Sequence, residues 1–288
     1  SARELNISQP AVTAAVQKLE ERYSVKLFFR YPRGLELTPA GMLLYRHLKE
    51  LKMHAVQAEN ELMNLKGVVH GQLKLGASPT FGDYILPRLI GRFSSGHPGI
   101  SFSLVIGNNQ QIYNHLKEGK VELAFLAGKL PGKRITAHKI MEDELILIVP
   151  SGHPWSSRGT IDQAELLTQP LILREQGSSS RKETEEALME LGFDLEILVI
   201  VAEFFSLEAI KSAVEAGLGA ALISRWAVTK ELQLGTLCSV QINGLSHFRD
   251  INAVTLNDIQ LTEAASRLLR YSLHMPPGFT ALPAAGGK

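Results

Sequence analysis

Two short polar segments of this 288-residue chain contain the residue types that bind anions. Ser78-Pro79-Thr80 follows one short apolar run, and Arg174 to Arg181, which reads REQGSSSR, follows another. Each segment comes directly before a helical pattern, where hydroxyl groups and free backbone N–H groups can bind a phosphate or a carboxylate. Helix capping uses the same residue types and explains either segment taken alone. The two together favour a ligand, because a two-lobed body would place them on opposite sides of one cleft.

A second polar set, near the start of the chain, is suited to DNA. Ser8 can cap a helix and Pro10 can occupy its first turn. Gln9, Thr13 and Gln17 then recur every four residues on one helix face, and side chains of these types can contact base edges in the major groove. The neighbouring face has the apolar spacing of a buried stripe, at Val12, Val16 and Leu19. This pattern predicts the recognition helix of a helix-turn-helix.

The residues after this helix predict a two-stranded wing with a basic tip. Two short apolar runs flank Tyr-Pro-Arg-Gly at residues 31–34. Arg30 and Arg33 would lie along DNA phosphates or enter a minor groove. The first 33 residues contain six basic and three acidic residues, whereas the whole chain has a net charge of +1. This asymmetry favours a polyanionic partner. The alternatives are chance clustering on a solvated surface, or a helical hairpin with a β-hairpin that binds no nucleic acid.

A long helix is predicted between Thr38 and Gly67. Thr38 can cap it, Pro39 is favoured at the first helical position, and Gly67 is a stop signal. Apolar residues between them recur at alternating spacings of four and three: Leu44, Leu48, Leu51, Ala55, Ala58, Leu62 and Leu65. This heptad seam predicts dimerisation through a partner helix. A single helix packed on its own domain is the alternative.

The rest of the chain alternates short apolar runs with helical patterns, which is typical of a parallel sheet covered by helices. The alternation repeats after Pro150, so we expect two α/β lobes, with crossings between them at 145–149 and 251–256. The predicted domains are a winged helix-turn-helix at 1–38, a linker helix at 39–67, an effector-binding domain at 71–275 and a disordered tail at 276–288. Lobe I would comprise 71–149 and 250–275, and lobe II would comprise 150–249.

The composition argues against several classes of function. Cys238 is the single cysteine, so an internal disulfide and a cysteine-rich zinc site are excluded and a reducing cytoplasm is expected. The sequence has no run of about 20 apolar residues that could span a membrane. The nine histidines are scattered, and no group of histidines and carboxylates has metal-binding spacing. Gly217 and Gly219 follow a helix and precede a strand, so they indicate a turn and not a dinucleotide-binding loop. We expect no enzyme activity, no metal and no cofactor.

The motifs of the first 41 residues are specific. They read Ser8-Gln9-Pro10-Ala11-Val12-Thr13, Leu19-Glu20, Leu27-Phe28-x-Arg30 and Leu37-Thr38-x-x-Gly41. This set resembles the signature of LysR-type transcriptional regulators. Members of that family carry another helix before this point, so the resemblance implies a DNA-binding domain truncated at its N-terminus. The family usually has Gly where Ser24 stands, and Ser is less favourable than Gly at positive φ.

The resemblance continues along most of the chain, at Pro87, Phe93, His97-Pro98, Gly107-Asn108 and the EAGLG run at 215–219. It implies an effector-binding domain with the fold of type 2 periplasmic binding proteins. The segment 174–181 is similar to the Arg-Glu-x-Gly-Ser-Gly-Thr-Arg pattern of one branch, with Ser179 and Ser180 in place of Gly and Thr. The extra hydroxyls favour a small anionic effector. The effector-binding residues implied by the segments and the resemblance are Ser78, Thr80, Asn108, Gly128, Gly177, Ser178, Ser179, Phe205 and Ser206.

The sequence therefore favours a cytoplasmic regulator that binds specific sites in double-stranded DNA. The expected DNA-binding residues are Ser8, Gln9, Pro10, Thr13, Gln17, Arg30 and Arg33. The resemblance implies a homodimer or homotetramer that contacts RNA polymerase, with no membrane partner. The alternative is a solute-binding receptor for a transporter, which would share the architecture of the body. That reading predicts an export signal and no DNA-binding head, and the heptad helix also argues against it.

Overall fold

The computed structural model divides into two compact units, Ser1–Leu62 and Met63–Lys288. The residues it describes are 8–31, 34–64, 70–257 and 259–275; within the long helix, the side chains of 49–50, 52–54, 56–57 and 59–64 are not described. Gly67, the predicted end of the linker helix, and the tail 276–288 lie outside the described residues.

The first unit contains the helix, the hairpin and the long helix that the sequence predicts. Its elements are α1 (Gln9–Tyr23), β1 (Phe28–Tyr31), β2 (Gly34–Leu37) and α2 (Pro39–Asn64), and the two strands pair antiparallel over their whole length. Ser8 caps α1, because its Oγ accepts a hydrogen bond from Ala11 N over 3.4 Å. The stripe on α1 is less covered than its spacing predicts, since Val12 and Val16 are half-buried and Leu19 is 36% exposed.

Glu20 joins the end of α1 to the start of the wing. Its carboxylate is buried; Oε1 accepts from Leu27 N over 2.9 Å and Oε2 accepts from Lys26 Nζ over 2.9 Å. The hydrogen bond from Lys26, and then that from Leu27, lowers the pKa of Glu20 below its ordinary value. Between α1 and the wing, Ser24 ends the helix in the left-handed conformation with φ of 52°, as expected for a position where the family that the sequence resembles usually has Gly.

Thr38 and Gly41 explain the Thr-x-x-Gly motif at the start of α2. Thr38 Oγ1 accepts a hydrogen bond from Gly41 N over 3.0 Å, which caps α2, and it donates to Lys26 O over 2.5 Å. A Cβ on residue 41 would overlap the carbonyl oxygen of Leu27, so a side chain there would force the first turn of α2 away from the wing. The motif therefore sets the close approach of α2 to the chain that enters β1.

The second unit contains ten strands and eight α-helices within its described residues. The strands are β3 (Gly71–Ala77), β4 (Ile100–Ile106), β5 (Leu123–Ala127), β6 (Ile135–Pro150), β7 (Thr160–Ile161), β8 (Leu171–Arg174), β9 (Ile200–Phe204), β10 (Ala221–Ser224), β11 (Leu237–Ile242) and β12 (His247–Leu256). The helices are α3 (Leu86–Ser95), α4 (Asn109–Lys117), α5 (Pro154–Arg158), α6 (Gln163–Leu166), α7 (Ser179–Glu190), α8 (Leu207–Glu215), α9 (Thr229–Leu234) and α10 (Glu263–Leu273), and a π-helical turn (Phe81–Ile85) precedes α3.

Two lobes share the long antiparallel pair β6 and β12. In lobe I the strand order is β4-β3-β5-β12-β6, with β3 parallel to both β4 and β5. In lobe II, β6 pairs with β10 and β11, β11 pairs with β7, and β8 pairs with β9. The predicted alternation of strands and helices in two lobes is confirmed, whereas each lobe combines parallel pairs, such as β3 with β4 and β8 with β9, with antiparallel pairs such as β6 with β12 and β6 with β10.

The crossings between the lobes differ in length from the sequence prediction. The predicted crossing at 145–149 is the end of a 16-residue strand, and these residues pair with β10 and β11 of lobe II. The second crossing, predicted at 251–256, begins at His247. The charged residues Glu142, Asp143 and Glu144 interrupt the apolar pattern of β6, which is why the sequence indicates only its apolar end.

Each lobe has its own apolar core. In lobe I the rings of Phe81 and Phe125 stack with centroids 4.8 Å apart, beneath α3 and α10. In lobe II, apolar residues pack on both faces of the sheet, around Trp155 on one face and Ile210 on the other. Within the described ranges, every helix is too short or too polar to cross a bilayer.

Candidate functional site

A pocket lies between the two lobes at the carboxyl ends of the strands. Ser78 follows β3, Asn108 follows β4, and Arg174 ends β8, so the strand ends converge as expected for a ligand site in an open α/β sheet. We call this the interlobe pocket, and its lining is Ser78, Pro79, Thr80, Asn108, Ala127, Arg174, Ser178, Ser179, Ser180 and Arg249. The cavity is about 10 Å³, which is room for about one water molecule.

Five of the residues named from the sequence line this pocket, and four do not. The lining includes Ser78, Thr80, Asn108, Ser178 and Ser179. The four that lie elsewhere are Gly128, Gly177, Phe205 and Ser206.

The four residues outside the lining have other surroundings. A Cβ on Gly128, whose φ is +68°, would overlap Glu183 Oε1 of lobe II. Gly177 also has a positive φ, of +85°, with nothing within 4 Å of its Cβ position. Phe205 is 78% exposed, and Ser206 caps α8, with its Oγ accepting from Ala209 N over 3.5 Å.

Capping accounts for some of the polar lining but not for all of it. Ser178 Oγ accepts a hydrogen bond from Arg181 N over 3.0 Å, and Asn108 Oδ1 accepts from Gln111 N over 2.9 Å. Thr80 makes no capping hydrogen bond with its side chain. Ser78 Oγ is buried and has no hydrogen-bond partner in the described part of the chain. The hydroxyls that lobe I contributes are therefore not used to cap a helix.

Arg174 lies at the start of the Ser-rich segment and is neutralised locally. Its side chain is 6% exposed, and it forms two parallel hydrogen bonds with Glu175, Nε to Oε2 over 2.7 Å and Nη2 to Oε1 over 2.9 Å. Arg181, one turn into α7, donates to the carbonyl oxygen of Arg174 over 3.0 Å and pairs with Glu185 and Glu203. The positive charge of this segment is therefore balanced within lobe II.

Arg249 is a pocket residue that the sequence prediction missed. It is 4% exposed, and its Nε and Nη2 donate to Asp143 Oδ2 over 2.9 and 2.7 Å. Its Nη2 also donates to Thr80 Oγ1 over 3.1 Å, and its Nη1 donates to Ser180 Oγ over 3.3 Å. Arg249 thus contacts both lobes from the strand that they share.

A signal for Arg249 exists in the sequence. Arg249, Ile251 and Ala253 occupy alternate positions of β12, so they point to the same face, and all three are buried. Arginine is almost never fully buried unless it is paired. An arginine in register with the buried positions of an apolar strand therefore indicates a paired charge, but it does not indicate the partner.

Asp143 is the counter-ion of Arg249 and is completely buried. It stands directly opposite Arg249 in the pairing of β6 with β12. Its Oδ1 accepts from Ser224 Oγ over 2.6 Å. A buried carboxylate is tolerated when it is paired and hydrogen-bonded, and Asp143 meets both conditions.

A second polar contact joins the lobes away from the pocket. Tyr84 of lobe I donates a hydrogen bond to Glu208 Oε1 of lobe II over 2.7 Å. Lys211 Nζ lies 2.8 Å from Glu208 Oε1 and 2.7 Å from Glu231 Oε1. Burial, and then the negative charge of Glu208, raises the pKa of the nearby Asp83.

In the first unit, the residues predicted to contact DNA are accessible. The side chains of Ser8, Gln9, Pro10, Thr13, Gln17 and Arg30 are exposed. Thr13 Oγ1 donates to Gln9 O over 3.1 Å, which leaves its hydroxyl oxygen available as an acceptor. Arg33 lies outside the described residues.

The predicted dimer seam on α2 is exposed over its central part. Leu48 is 49% exposed and Leu51 is 63% exposed, Ala55 and Ala58 are also exposed, and Leu44 is half-buried. The side chain of Leu62 and the whole of Leu65 lie outside what the structure describes. No group of three or more metal-binding side chains occurs among the described residues.

Known protein families and structures match both units. Residues 1–42 match the family model for the bacterial regulatory helix-turn-helix protein of the lysR family, and residues 66–275 match the model for the LysR substrate binding domain. A relative from Emiliania huxleyi, named a probable RuBisCO transcriptional regulator, is 35% identical over 255 residues, which are 88% of this chain and 81% of the relative.

Two solved structures have the same fold. The regulatory domain of Synechocystis PCC6803 CcmR in complex with 2-PG is 25% identical, with a TM-score of 0.66, and the match covers 72% of this chain and 100% of that chain. Full-length OxyR from Pseudomonas aeruginosa is 21% identical, with a TM-score of 0.69, over 95% of this chain and 91% of its own. At that identity the second match shows the fold alone.

Proposed function

The chain belongs to the LysR family of transcriptional regulators, and we propose that it binds specific DNA sites as a homodimer under the control of a small anionic effector in the interlobe pocket. It contains the DNA-binding and effector-binding domains of that family, and it is a regulator, not an enzyme. The proposal also includes assembly of dimers into a tetramer, contact with RNA polymerase, and residence in the cytoplasm.

The observation that carries the effector proposal is the convergence of donors on the interlobe pocket. Hydroxyls come from Ser78 and Thr80 of lobe I and from Ser178 to Ser180 of lobe II. Of the first N–H groups of α7, that of Arg181 is bonded to Ser178 Oγ, whereas those of Ser179 and Ser180 have no acceptor within the helix and are available to a ligand. The positive end of the helix dipole at the same place also favours an anion.

Two of the comparisons support the choice of an anionic ligand and of a first DNA probe. The CcmR domain was solved with 2-PG, a small anionic compound. Several relatives are named probable RuBisCO transcriptional regulators. We therefore choose 2-phosphoglycolate as the first effector probe, and DNA from upstream of the chain's own gene and of RuBisCO genes as the first DNA probes.

Exposure on α1 and α2 supports the DNA and dimer parts of the proposal. Gln9, Thr13 and Gln17 form an accessible polar face on α1, of the types that contact base edges. Leu48 and Leu51 of α2 are large apolar side chains at heptad spacing, and an exposed seam of this kind is buried by a partner helix. A dimer presents two recognition helices, which matches a partly palindromic DNA site.

Regulation requires that the effector prefers one arrangement of the lobes, because a ligand with equal affinity for both arrangements shifts nothing. The lobes are connected through β6 and β12, so a ligand between them changes how these shared strands are held. We propose that this change is passed along the chain to α2 and alters the spacing of the two DNA-binding heads.

The effector site is tested by isothermal titration calorimetry of the full chain with 2-phosphoglycolate. We expect Ser78→Ala to weaken binding by about tenfold or more, in line with the loss of a hydrogen bond to a charged group. Folding stability should not fall, because Ser78 Oγ has no protein partner among the described residues. Ser95→Ala, an exposed serine on α3, is the matched control. Equal affinities of the wild type and Ser78→Ala for 2-phosphoglycolate would exclude this pocket as the effector site.

DNA binding is tested by fluorescence anisotropy at several salt concentrations, against a scrambled competitor. Arg30→Ala should weaken binding to all sequences alike and reduce the slope of log K against log salt by about 1, as expected for a phosphate contact. Gln17→Ala should instead reduce the preference for the specific site by about 1–3 kcal/mol. Arg88→Ala, an exposed arginine of the second unit, is the control. Unchanged DNA binding by both Arg30→Ala and Gln17→Ala would exclude this face of the first unit as the DNA-binding surface.

A further inference from the structure

A polar contact joins the two lobes outside the lining of the interlobe pocket. Tyr84 of lobe I donates its hydroxyl to Glu208 Oε1 of lobe II over 2.7 Å, and neither residue is part of the pocket lining. Because a hydrogen bond between two oxygens spans only about 2.5–3.0 Å, a small separation of the lobes at this point breaks it. The contact therefore depends on how the lobes are arranged.

The ring of Tyr84 depends on the same arrangement. It packs against the core of lobe I, around Phe81, and against one of the lobe II cores, around Ile210. Of the described residues in these two clusters, Tyr84 alone belongs to both. A separation of the lobes would thus remove apolar contacts of this side chain together with its hydrogen bond.

Lys211 holds the acceptor of this hydrogen bond in place. It is 4% exposed, and its Nζ lies 2.8 Å from Glu208 Oε1 and 2.7 Å from Glu231 Oε1. The same Nζ lies 5.2 Å from the centre of the Tyr84 ring, within the range of a cation–π contact. Lys211, Glu208 and Glu231 all belong to lobe II, so the lobe II half of the contact is formed before Tyr84 joins it.

This contact can open, whereas the buried ion pair at the junction of the lobes cannot open at low cost. The side chain of Glu208 is 69% exposed, so water can replace Tyr84 as its donor. The side chains of Arg249 and Asp143 are 2% and 0% exposed, and separating them would leave two buried charges unpaired. The shared strands therefore stay joined when the contact of Tyr84 with Glu208 breaks.

The segment that carries Tyr84 begins at the pocket. Tyr84 lies in the π-helical turn Phe81–Ile85, which directly follows Thr80 of the pocket lining. Turns of this kind are rare and occur frequently at functional sites. A Cβ on Gly82 would press into the side chain of Ile106, so the turn lies tightly on the end of β4. One short segment of lobe I therefore carries both a pocket hydroxyl and the contact with lobe II.

The size of the pocket determines the direction of the expected effect. Its cavity of about 10 Å³ has room for about one water molecule, and 2-phosphoglycolate is larger than that. The effector therefore needs an arrangement in which the lobes or the pocket lining have moved. Contacts that hold the present arrangement lower the apparent affinity, because a ligand binds only to the fraction of molecules that is competent to bind it.

We propose that Tyr84, Glu208 and Lys211 form an interlobe latch, which holds the lobes in the present arrangement and opposes binding of the effector until it opens. Tyr84 and Glu208 are the two sides of the latch, and Lys211 is a positioning residue that holds Glu208. The part of the inference that concerns the effector rests on the proposed function, in which the ligand occupies the interlobe pocket. The latch itself is a property of the chain without effector.

The effect on affinity is measured by isothermal titration calorimetry of the full chain with 2-phosphoglycolate. Tyr84→Phe and Glu208→Ala should each raise the affinity about fivefold, as expected when one hydrogen bond that holds the competing arrangement is lost. The double variant should bind no more tightly than either single variant, because both substitutions remove the same contact. Tyr113→Phe is the matched control and should bind as the wild type does, because Tyr113 lies beneath Lys117 and against Gly132, both of lobe I.

The latch is also measured without effector, by hydrogen–deuterium exchange of the full chain. Each variant is read in the lobe that it does not change. Tyr84→Phe should speed exchange of the backbone amides of α8, and Glu208→Ala should speed exchange of the amides of 82–86, each by about fivefold. Tyr113→Phe should change neither segment.

The outcomes separate this inference from the proposed function. Lower or unchanged affinity of both Tyr84→Phe and Glu208→Ala, in a chain whose wild type binds 2-phosphoglycolate, would overturn the opposition between latch and effector. Unchanged exchange in the opposite lobe would overturn the latch. A wild type that does not bind 2-phosphoglycolate would count against the proposed effector alone, and the exchange of the two variants would then decide whether the latch exists.

Discussion

The two buried arginines of the interlobe pocket are neutralised over very different distances along the chain. Arg174 pairs with its neighbour Glu175, and the whole contact belongs to lobe II. Arg249 pairs with Asp143, which is 106 residues away and opposite it on another strand. The pair of Arg174 with Glu175 forms whenever the segment after β8 is folded. The second forms only when β6 and β12 are in register, so it reports on the junction of the lobes.

Gly177 and Gly128 show the same contrast between a local requirement and a contact between lobes. Gly177 and Gly128 both have positive φ, of +85° and +68°. Gly177 belongs to the segment after β8, and its Cβ position is open. Gly128 lies against Glu183 of the other lobe. Gly177 is thus required only by a local turn, whereas Gly128 is required by a local turn and by the close contact between the lobes.

The largest expected effect is the difference between losing Arg249 and losing Arg174. Arg249→Met would leave Asp143 as an unpaired buried charge, which costs about 3–5 kcal/mol of folding stability. Arg174→Met should cost about 1.5–3 kcal/mol, the range for hydrogen bonds to a charged group, because Glu175 can turn towards solvent. Urea denaturation of the full chain measures both.

A double variant decides whether the unpaired charge is the cause. Arg249→Met combined with Asp143→Leu removes both charges and should recover most of the stability lost in Arg249→Met. A double variant as unstable as the single variant would mean that packing around Arg249, and not the charge of Asp143, explains the loss.

The glycines give the next largest difference. Gly177→Ala should cost about 1–2 kcal/mol, the price of a left-handed backbone for a residue with a Cβ. Gly128→Ala should cost about 2–3 kcal/mol of folding stability. It has the same backbone cost as Gly177→Ala, and the new Cβ also displaces Glu183, which breaks a hydrogen bond worth about 1 kcal/mol. That hydrogen bond is the 3.1 Å contact between Glu183 and His247. Thermal unfolding of the two variants side by side is the measurement; equal losses would show that Glu183 gives way freely.

The smallest effects are expected in the pH dependence of folding stability. The contact of Tyr84 with Glu208, between lobes, acts at alkaline pH, and the local contact of Glu165 with Arg158 acts at acid pH. Burial, and then the hydrogen bond to Glu208, raises the pKa of Tyr84 above its ordinary value of 10.0. The folded chain therefore holds this proton more tightly than the unfolded chain, so the contribution is complete below pH 10 and is lost as the pH rises above it. Tyr84→Phe should cost about 1 kcal/mol at neutral pH and flatten the alkaline loss.

The local counterpart is Glu165, seven residues from its partner Arg158. The hydrogen bond from Arg158 lowers the pKa of Glu165 from 4.5 to about 2. A carboxylate whose pKa is lowered by folding stabilises the folded chain at pH values above its ordinary pKa of 4.5. This contribution is lost as the pH falls from 4.5 towards 2. Glu165→Gln should flatten the acid side of the stability profile and leave the alkaline side unchanged. A profile that keeps its acid slope would assign that slope to other carboxylates.

Much of the fold and part of the site could be predicted, because the signals lie within a few residues of each other. Ser8 and Pro10 mark the start of α1, and Thr38 and Pro39 mark the start of α2; the structure begins the two helices at Gln9 and Pro39. Ser178 and Ser179 could be placed in the pocket because a helix start follows a strand end in the sequence itself.

The sequence by itself determined the family and the helices and turns that local signals mark, because periodicity, caps and turns act over a few residues. Only the tertiary structure decided that Arg249 meets Asp143, that Gly128 meets Glu183, and that Tyr84 meets Glu208. These contacts depend on strand register and on packing between lobes, which are set by the burial of many residues together. The polar centre of the pocket is formed by the same long-range packing that joins the lobes, so no single segment of the chain encodes it.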